Sequence, residues 1–228
     1  MAYPRRLQTE LLDVLPADDP DAVRSRRDLK LLNAVMLHPE IMARRMRHHA
    51  VAAPKRIVEL GAGDGSLMLR LARRLARHWP GVTTTLVDQQ GIVAPATREA
   101  VLKLGWRQDQ VTQDVFEYLR TAKRADIVIA NLFLHHFEPP QIAEIFARYA
   151  KLAPVFIALE PRRSMLPLIG SRLIGLLGCN YVSRHDATAS VRAGFRDREL
   201  SALWPDPKGW NLREGRVALS HIFAAQKC

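Results

Sequence analysis

The chain has 228 residues, of which 48% are hydrophobic and 25% are charged. That length accommodates one α/β domain with a modest helical addition, and it excludes a second full domain. No stretch approaches the ~18 uninterrupted apolar residues of a membrane-spanning helix, while the net charge of +11 leaves an anionic partner open.

The first 54 residues predict a helical lid before the first strand. Its helices are expected at 7–14, 22–35 and 39–49. Acidic residues suit the positive N-terminal end of the second helix, and three precede or open it: Asp18, Asp19 and Asp21. Asn33, Met36 and His38 stand where such a lid could touch a bound ligand.

A glycine-rich loop follows the first predicted strand, which begins at Arg56. Gly61, Gly63 and Gly65 lack Cβ atoms, so the chain can turn tightly and a ligand can lie against bare backbone. A helix is expected over 67–78, with Asp64 and Ser66 suited to cap it. The loop therefore predicts the floor of a binding site.

The second strand, 83–87, ends in Asp88. An acidic side chain at this position can accept hydrogen bonds from both ribose hydroxyls of a nucleoside. These features alone leave two cofactors open, NAD and S-adenosylmethionine (SAM).

The order of the glycines separates the two. The run Glu59-Leu-Gly-Ala-Gly-Asp-Gly65 resembles motif I of class I SAM-dependent methyltransferases and departs from the Gly-x-Gly-x-x-Gly of dehydrogenases. The resemblance implies SAM as cofactor and S-adenosylhomocysteine (SAH) as product. It places the cofactor on Glu59, Gly61, Ala62, Gly63, Gly65, Asp88 and Gln89. An NAD-dependent oxidoreductase is the disfavoured alternative, since the chain also lacks a clear Tyr-x-x-x-Lys pair.

The resemblance covers about residues 55–225. Asp114 matches the family position that faces the adenine amino group, with Val115 and Phe116 beside the ring, and 125–137 resembles motif IV, whose strand ends near Asn131. It implies an α/β fold with a Rossmann-like seven-stranded sheet, mostly parallel. An antiparallel hairpin closes that sheet at 210–215 and 217–225. The predicted domains are the lid, 1–54, and the SAM-binding domain, 55–228.

A cap insertion is predicted at about 162–195, after the fifth strand, 155–159. Its apolar part, 165–178, is interpreted as a cap over the substrate. An ordinary packing helix and a patch that dips into a membrane surface are the alternatives. The polar part, 183–195, is interpreted as a pocket wall or a solvated loop, and a helix is expected over 197–204.

Three histidines are candidates for a catalytic base: His135 and His136 after the fourth strand, and His185 after the cap, where Asp186 could orient an imidazole. A base would help if the acceptor is a phenol or enol, and histidine has a suitable pKa. His135 could instead contact SAM or support its loop. No metal is expected, because only Asn131 and Glu138 offer oxygen ligands near the fourth strand.

Two motifs that are absent from the chain narrow the range of possible methyl acceptors. The segment after the fourth strand reads Asn131-Leu-Phe-Leu134, not the Asn/Asp-Pro-Pro-Tyr/Phe motif of base N-methylation, and neither Cys179 nor Cys228 fits cytosine C5 methylation. The chain resembles a bacterial subgroup of small-molecule methyltransferases acting in lipid, quinone-like or polyketide phenol biosynthesis. This resemblance implies O-methylation of a hydrophobic phenolic, quinone-like or polyketide molecule. Four arginines are candidates for holding an acidic or phenolate substrate: Arg162, Arg163, Arg184 and Arg192.

Other functions stay open at this point. They are C-methylation of a similar ring, RNA binding or modification, and a non-catalytic SAM-fold protein. The expected partner is an apolar, aromatic small molecule; nucleic acid is not expected, and a homodimer is left open. Two cysteines and the lack of a secretory signal pattern make the cytoplasm the expected compartment.

Overall fold

The computed structural model describes residues 3–228. Its sheet has seven strands in the order β3-β2-β1-β4-β5-β7-β6, and only β7 runs against the others. The strands are β1 Arg56–Leu60, β2 Thr83–Asp88, β3 Arg107–Thr112, β4 Ile127–Asn131, β5 Val155–Pro161, β6 Trp210–Val217 and β7 Ser220–Lys227. The predicted mostly parallel sheet with a C-terminal antiparallel hairpin is confirmed.

Nine α-helices surround the sheet in the described residues. They are α1 Leu11–Val14, α2 Pro20–Val35, α3 His38–His49, α4 Ser66–Leu75, α5 Pro95–Lys103, α6 Val115–Thr121, α7 Pro139–Leu152, α8 Met165–Leu173 and α9 Tyr181–Ala193. Short 3-10 turns occur at Leu134–His136, Ile174–Leu177 and Ser201–Leu203. Within residues 3–228 no helix combines the length and the apolarity needed to cross a bilayer.

The central strands are mostly apolar because helices cover both faces, and their buried polar residues, Glu59, Asn131 and Glu160, lie at or near the carboxyl ends. All residues of β4 and β5 are buried. One hydrophobic cluster packs α3 and α4 against the sheet around Met42, Met68 and Leu71. The other packs α7 and the hairpin around Phe146 and Phe223.

The site is positioned by the strand order. From β1 the chain adds β2 and β3 on one side and then returns to place β4 on the other. The loops after β1 and β4 therefore diverge at the carboxyl edge of the sheet, which opens a crevice there.

Three expected elements differ from the structure. The helix expected over 7–14 is only α1, because Glu10 is extended and its side chain turns toward His135. Residues 197–204 form turns and one 3-10 turn, not a helix. The polar stretch 183–195 is not a solvated loop, since it belongs largely to α9, and Ser190 is its one residue in the lining of the cavity at the carboxyl edge of the sheet.

Candidate active site

A cavity of about 380 Å³ lies at the carboxyl edge of the sheet. One group of lining residues, here the glycine-loop side, comes from 59–67 and 87–92. A second group, the histidine side, comes from 10–13 and 131–137. Both groups face one space, and its volume is in the range of small-molecule sites.

The glycine-loop side exposes backbone to the cavity. Gly63 has φ +53°, and a Cβ built on it would meet nothing within 4 Å. Gly61, with φ +64°, lies against the Phe133 ring, where an added Cβ would stand 2.3 Å from a ring carbon. Gly65 packs instead on Leu86 of β2 and does not line the cavity. Gly63 thus allows a ligand to approach the backbone, Gly61 makes room for the Phe133 ring, and Gly65 lets the loop pack on β2.

Asp88 ends β2 and braces the loop. Its Oδ2 accepts from the Gly63 N–H at 2.8 Å and its Oδ1 from the Gln90 N–H at 2.8 Å. A carboxylate oxygen can accept two hydrogen bonds, so each oxygen retains capacity toward the cavity. This geometry suits the predicted ribose contact.

Glu59 is a buried carboxyl group in the cavity wall with an unsatisfied oxygen. Its side chain is buried, and Oε2 has no hydrogen-bond partner among residues 3–228. Burial, with the charges of Asp64 and Asp88, raises the pKa of Glu59 well above its ordinary value. A bound donor or cation would satisfy this oxygen, and SAM carries an ammonium group and ribose hydroxyls. The residues present therefore fit SAM.

The remaining predicted cofactor residues fall into two sets. Ala62, Gln89, Val115 and Asn131 line the cavity. Asp114 does not line it; its Oδ2 accepts from Gln89 Nε2 at 2.9 Å and its Oδ1 from the Phe116 N–H that opens α6. Asn131 is held from the lid, since its Oδ1 accepts from His38 Nδ1 at 2.9 Å.

His38 is buried between neutral partners. Besides Asn131 it contacts Ser220 Oγ through Nε2 at 2.8 Å. Burial lowers the pKa of His38 to about 4, so the ring is neutral and joins the lid to β4 and β7. Of the other predicted lid contacts, Asn33 lines the cavity and Met36 does not.

His135 is the centre of the histidine side. Its Nδ1 lies 2.8 Å from Glu160 Oε2, and its Nε2 lies 3.2 Å from Glu10 Oε1. Burial alone would lower the pKa of His135, but the hydrogen bonds and charges of the two glutamates raise it to about 9. Glu160 also accepts from the Phe133 and Leu134 N–H groups, which fixes the loop after β4. His135 is therefore a positioned imidazolium.

His136 stands beside it, with ring centroids 4.2 Å apart and Nδ1 3.1 Å from Asp13 Oδ2. Ligand atoms of Glu10, His135 and His136 lie within 4.8 Å of one another, so this set could hold a metal ion. However, carboxylates already bond both ring nitrogens of His135 and the Nδ1 of His136. Hydrogen bonding accounts for the cluster, and the expectation of no metal stays a prediction.

His185 is not brought to the cavity. Its side chain is half exposed and bonds the neighbouring Asp186, which in turn accepts from the N–H groups of Leu11 and Leu12. Asp186 thus anchors the N-terminal segment rather than orienting a base. The sequence could not distinguish His185 from the other two histidines, because residue type alone does not indicate whether a side chain is buried.

The predicted cap and its arginines also lie elsewhere. Of residues 162–195 only Ser190 lines the cavity, so 165–178 does not cover it. None of the four candidate arginines lines it either. Arg163 is buried and pairs with Glu199, the Arg184 stem lies over Gly175, and Arg192 reaches Gln8.

Sequence reasoning missed the residues that the N-terminal segment contributes. Glu10, Leu12 and Asp13 line the cavity, as do Phe133 and Phe137. Glu160, in β5, was not among the predicted site residues. Nothing local in the sequence pairs Glu10 with His135, which lies 125 residues away.

Comparison with known proteins gives a family match for the central part of the chain. Residues 57–153 match the family described as methyltransferase domain. A search of the curated proteins finds no match.

Solved structures show the same fold at low identity. The plantazolicin methyltransferase BpumL, in complex with SAH, is 12% identical with a TM-score of 0.64, and 92% of each chain is covered. Magnesium protoporphyrin IX methyltransferase from Synechocystis PCC 6803, with bound SAH, is 15% identical with a TM-score of 0.57; 95% of this chain and 91% of that chain are covered. An O-methyltransferase family protein from Burkholderia thailandensis is 19% identical with a TM-score of 0.56. There, 92% of this chain covers only 61% of the longer protein.

Proposed function

We propose that this class I SAM-dependent methyltransferase transfers the methyl group to a hydroxyl oxygen of an apolar, aromatic small molecule, with His135 as the base. The observation that carries the proposal is His135, which is held by the buried Glu160 and lines the same cavity as Gly63 and Asp88. SAM is the cofactor, in keeping with the domain match and the SAH-bound neighbours.

When bound, SAM supplies a methyl group on a positively charged sulfur, so the protein has mainly to position donor and acceptor. Gly63 and Asp88 hold the nucleoside side. Phe133 and Phe137, whose ring centroids are 4.9 Å apart, offer an aromatic wall between the glycine loop and the histidines. That wall favours an apolar ring as acceptor.

The proton of the acceptor goes to His135 Nε2. Glu160 holds the opposite nitrogen, Nδ1–H, and thereby fixes the ring and its tautomer. Glu10 occupies Nε2 in the structure, and we place the acceptor hydroxyl where Glu10 stands. When the hydroxyl displaces Glu10, the Nε2 proton leaves with the Glu10 carboxyl group. Loss of one of the two carboxylates also lowers the pKa of His135, which is about 9 with both in place, so the neutral Nε2 accepts the phenol proton.

The test is methyl transfer from SAM carrying a ¹³C-labelled methyl group to a panel of alkylated phenols. Nuclear magnetic resonance distinguishes a methyl ether from a methyl group on a ring carbon. We expect methyl ethers, with no effect of EDTA. A labelled methyl group on a ring carbon would mean that the enzyme is a C-methyltransferase. Loss of activity in EDTA would mean that the Glu10–His135–His136 cluster binds a metal ion needed for the reaction.

Two further measurements test the cofactor site and the nucleic-acid alternative. Asp88→Ala should lose SAH binding in calorimetry, which reports on the cofactor site whatever the acceptor is. Transfer of label to RNA at low ionic strength, suppressed by salt, would favour a nucleic-acid acceptor. The neighbours are named for different acceptors, plantazolicin and magnesium protoporphyrin IX, so the fold itself does not choose one.

A further inference from the structure

The outer face of the segment 165–181 is apolar and exposed. Seven large side chains there have exposed fractions from 49% for Ile169 to 84% for Leu176. They are Met165, Leu166, Ile169, Leu173, Leu176, Leu177 and Tyr181. We call these seven residues the cap face.

The cap face is not the side of the segment that packs against the rest of the protein. The same segment already buries Leu168, Ser171 and Ile174 against the protein, and α8 packs on α9. A helix on the surface of a soluble domain normally turns polar residues outward. Here the outward positions are apolar as well, and contiguous exposed apolar surface of this kind marks an interaction site.

The segment that carries the cap face contributes only positive charge, and the acidic groups that contact it, Asp21 and Asp28 of α2, bond Asn180 and Ser183. Between Glu160 and Asp186 the chain has four arginines and no acidic residue. Arg163 is buried in an ion pair with Glu199, whereas Arg172 and Arg184 are exposed and form no ion pair within residues 3–228. The Arg184 stem lies across Gly175, inside the face, with the guanidinium nearby.

A further cation comes from the lid. Arg24 of α2 donates to the Gly178 carbonyl at 3.0 Å, which places a guanidinium at the edge of the face. The cap face is thus a group of aliphatic side chains bordered by Arg24, Arg172 and Arg184. Apolar side chains beside basic ones are the composition of interfacial helices that bind anionic lipid.

We propose that the cap face docks the protein on an anionic membrane surface. Seven apolar side chains enter the headgroup region while the three arginines meet lipid phosphates. A second copy fits the same face poorly. In a two-fold dimer the patch would meet itself, so Arg172 and Arg184 of both copies would come together with no acidic residue of the segment between them. The proposal does not depend on the acceptor.

The test is flotation of the full chain with vesicles of phosphatidylcholine and phosphatidylglycerol, mixed roughly two to one, against vesicles of phosphatidylcholine alone. We expect binding to the mixed vesicles only, weakened by salt. Leu173→Asp with Leu176→Asp should reduce binding about tenfold or more. Arg172→Gln with Arg184→Gln should reduce it about fivefold for each arginine.

The matched control is Leu102→Asp, an equally exposed leucine on α5, which should bind like the wild type. SAH binding by calorimetry confirms that each variant is folded. The proposal is overturned by no binding to mixed vesicles, or by equal loss in the control. A wild-type dimer in light scattering that the leucine pair makes monomeric would assign the face to a second copy, and binding only to an added acidic protein would assign it to a protein partner.

Discussion

The two sides of the cavity are built by different means. On the glycine-loop side, backbone groups of one short segment meet Asp88, only 25 residues from Gly63. On the histidine side, side chains from distant segments converge: Glu10 lies 125 residues from His135 and 180 from Ser190. The first side is suited to a fixed cofactor, and the second can vary with the acceptor without disturbing it.

Two buried histidines near the cavity have opposite pKa shifts: His135 on the histidine side, and His38, which lies outside the lining and bonds Asn131. His135 lies between two carboxylates that raise its pKa to about 9, whereas His38 lies between an amide and a hydroxyl and has its pKa lowered to about 4. The difference indicates that depth does not decide the charge of a buried imidazole. Its partners do.

The largest effect is expected at His135. His135→Gln should lower the turnover of a phenolic acceptor by about a hundredfold to ten-thousandfold, the usual contribution of a general base. Affinity for SAH should stay unchanged, because the glycine-loop side is intact. Steady-state kinetics and calorimetry on the same preparation separate the two.

His185→Gln is the matched control, since His185 is half exposed and outside the cavity. Its turnover should equal that of the wild type. If His136→Gln instead gives the larger loss, the base is His136, held by Asp13. If all three variants keep full turnover, the histidine side has no proton-transfer role.

The sequence predicted the glycine-loop side because its signals are local. Gly61, Gly63 and Gly65 all adopt positive φ, and the strand predicted at 83–87 before Asp88 is observed as Thr83–Asp88. Such features depend on a few adjacent residues and on strand order. The parallel sheet and its hairpin followed from the same local patterns together with the family resemblance.

The histidine side could not be predicted in the same way. The contact of Glu10 with His135 depends on where the N-terminal segment crosses the sheet, which Asp186 fixes by accepting from Leu11 and Leu12. The cap was misplaced for a related reason. Apolar composition at 165–178 indicated burial over the substrate, but α9 lies between α8 and the cavity side, so the apolar surface faces outward.

The next effect concerns His38 and stability. A neutral histidine whose folded pKa of about 4 lies below the unfolded value of 6.5 stabilises the fold above pH 6.5. That contribution is lost as pH falls toward 4, up to about 3 kcal/mol. His38→Gln should therefore show a shallower decline of unfolding free energy over this window, measured by denaturant titration at successive pH values.

The pKa of His135 is shifted in the opposite direction, so its effect on stability falls in a different pH range from that of His38. With a raised pKa, its contribution is complete below pH 6.5 and is lost as pH rises through about 9. Carboxylates that titrate below pH 6.5 are common to both proteins and cancel in the comparison. Equal slopes for the wild type and His38→Gln would mean that His38 is charged or exposed in solution.

The smallest effect is expected at Gly63. Gly63 and Gly105 both have positive φ, +53° and +83°, and an added Cβ would meet nothing within 4 Å at either. Alanine should cost each variant about 1–2 kcal/mol of stability through backbone strain. Only the Gly63 Cβ enters the cavity, so only Gly63→Ala should also weaken SAH binding, by about tenfold. Calorimetry of both variants measures their affinity for SAH. An equal loss of affinity in Gly105→Ala would mean that backbone strain causes the effect. The bare backbone of Gly63 would then not be part of the cofactor site.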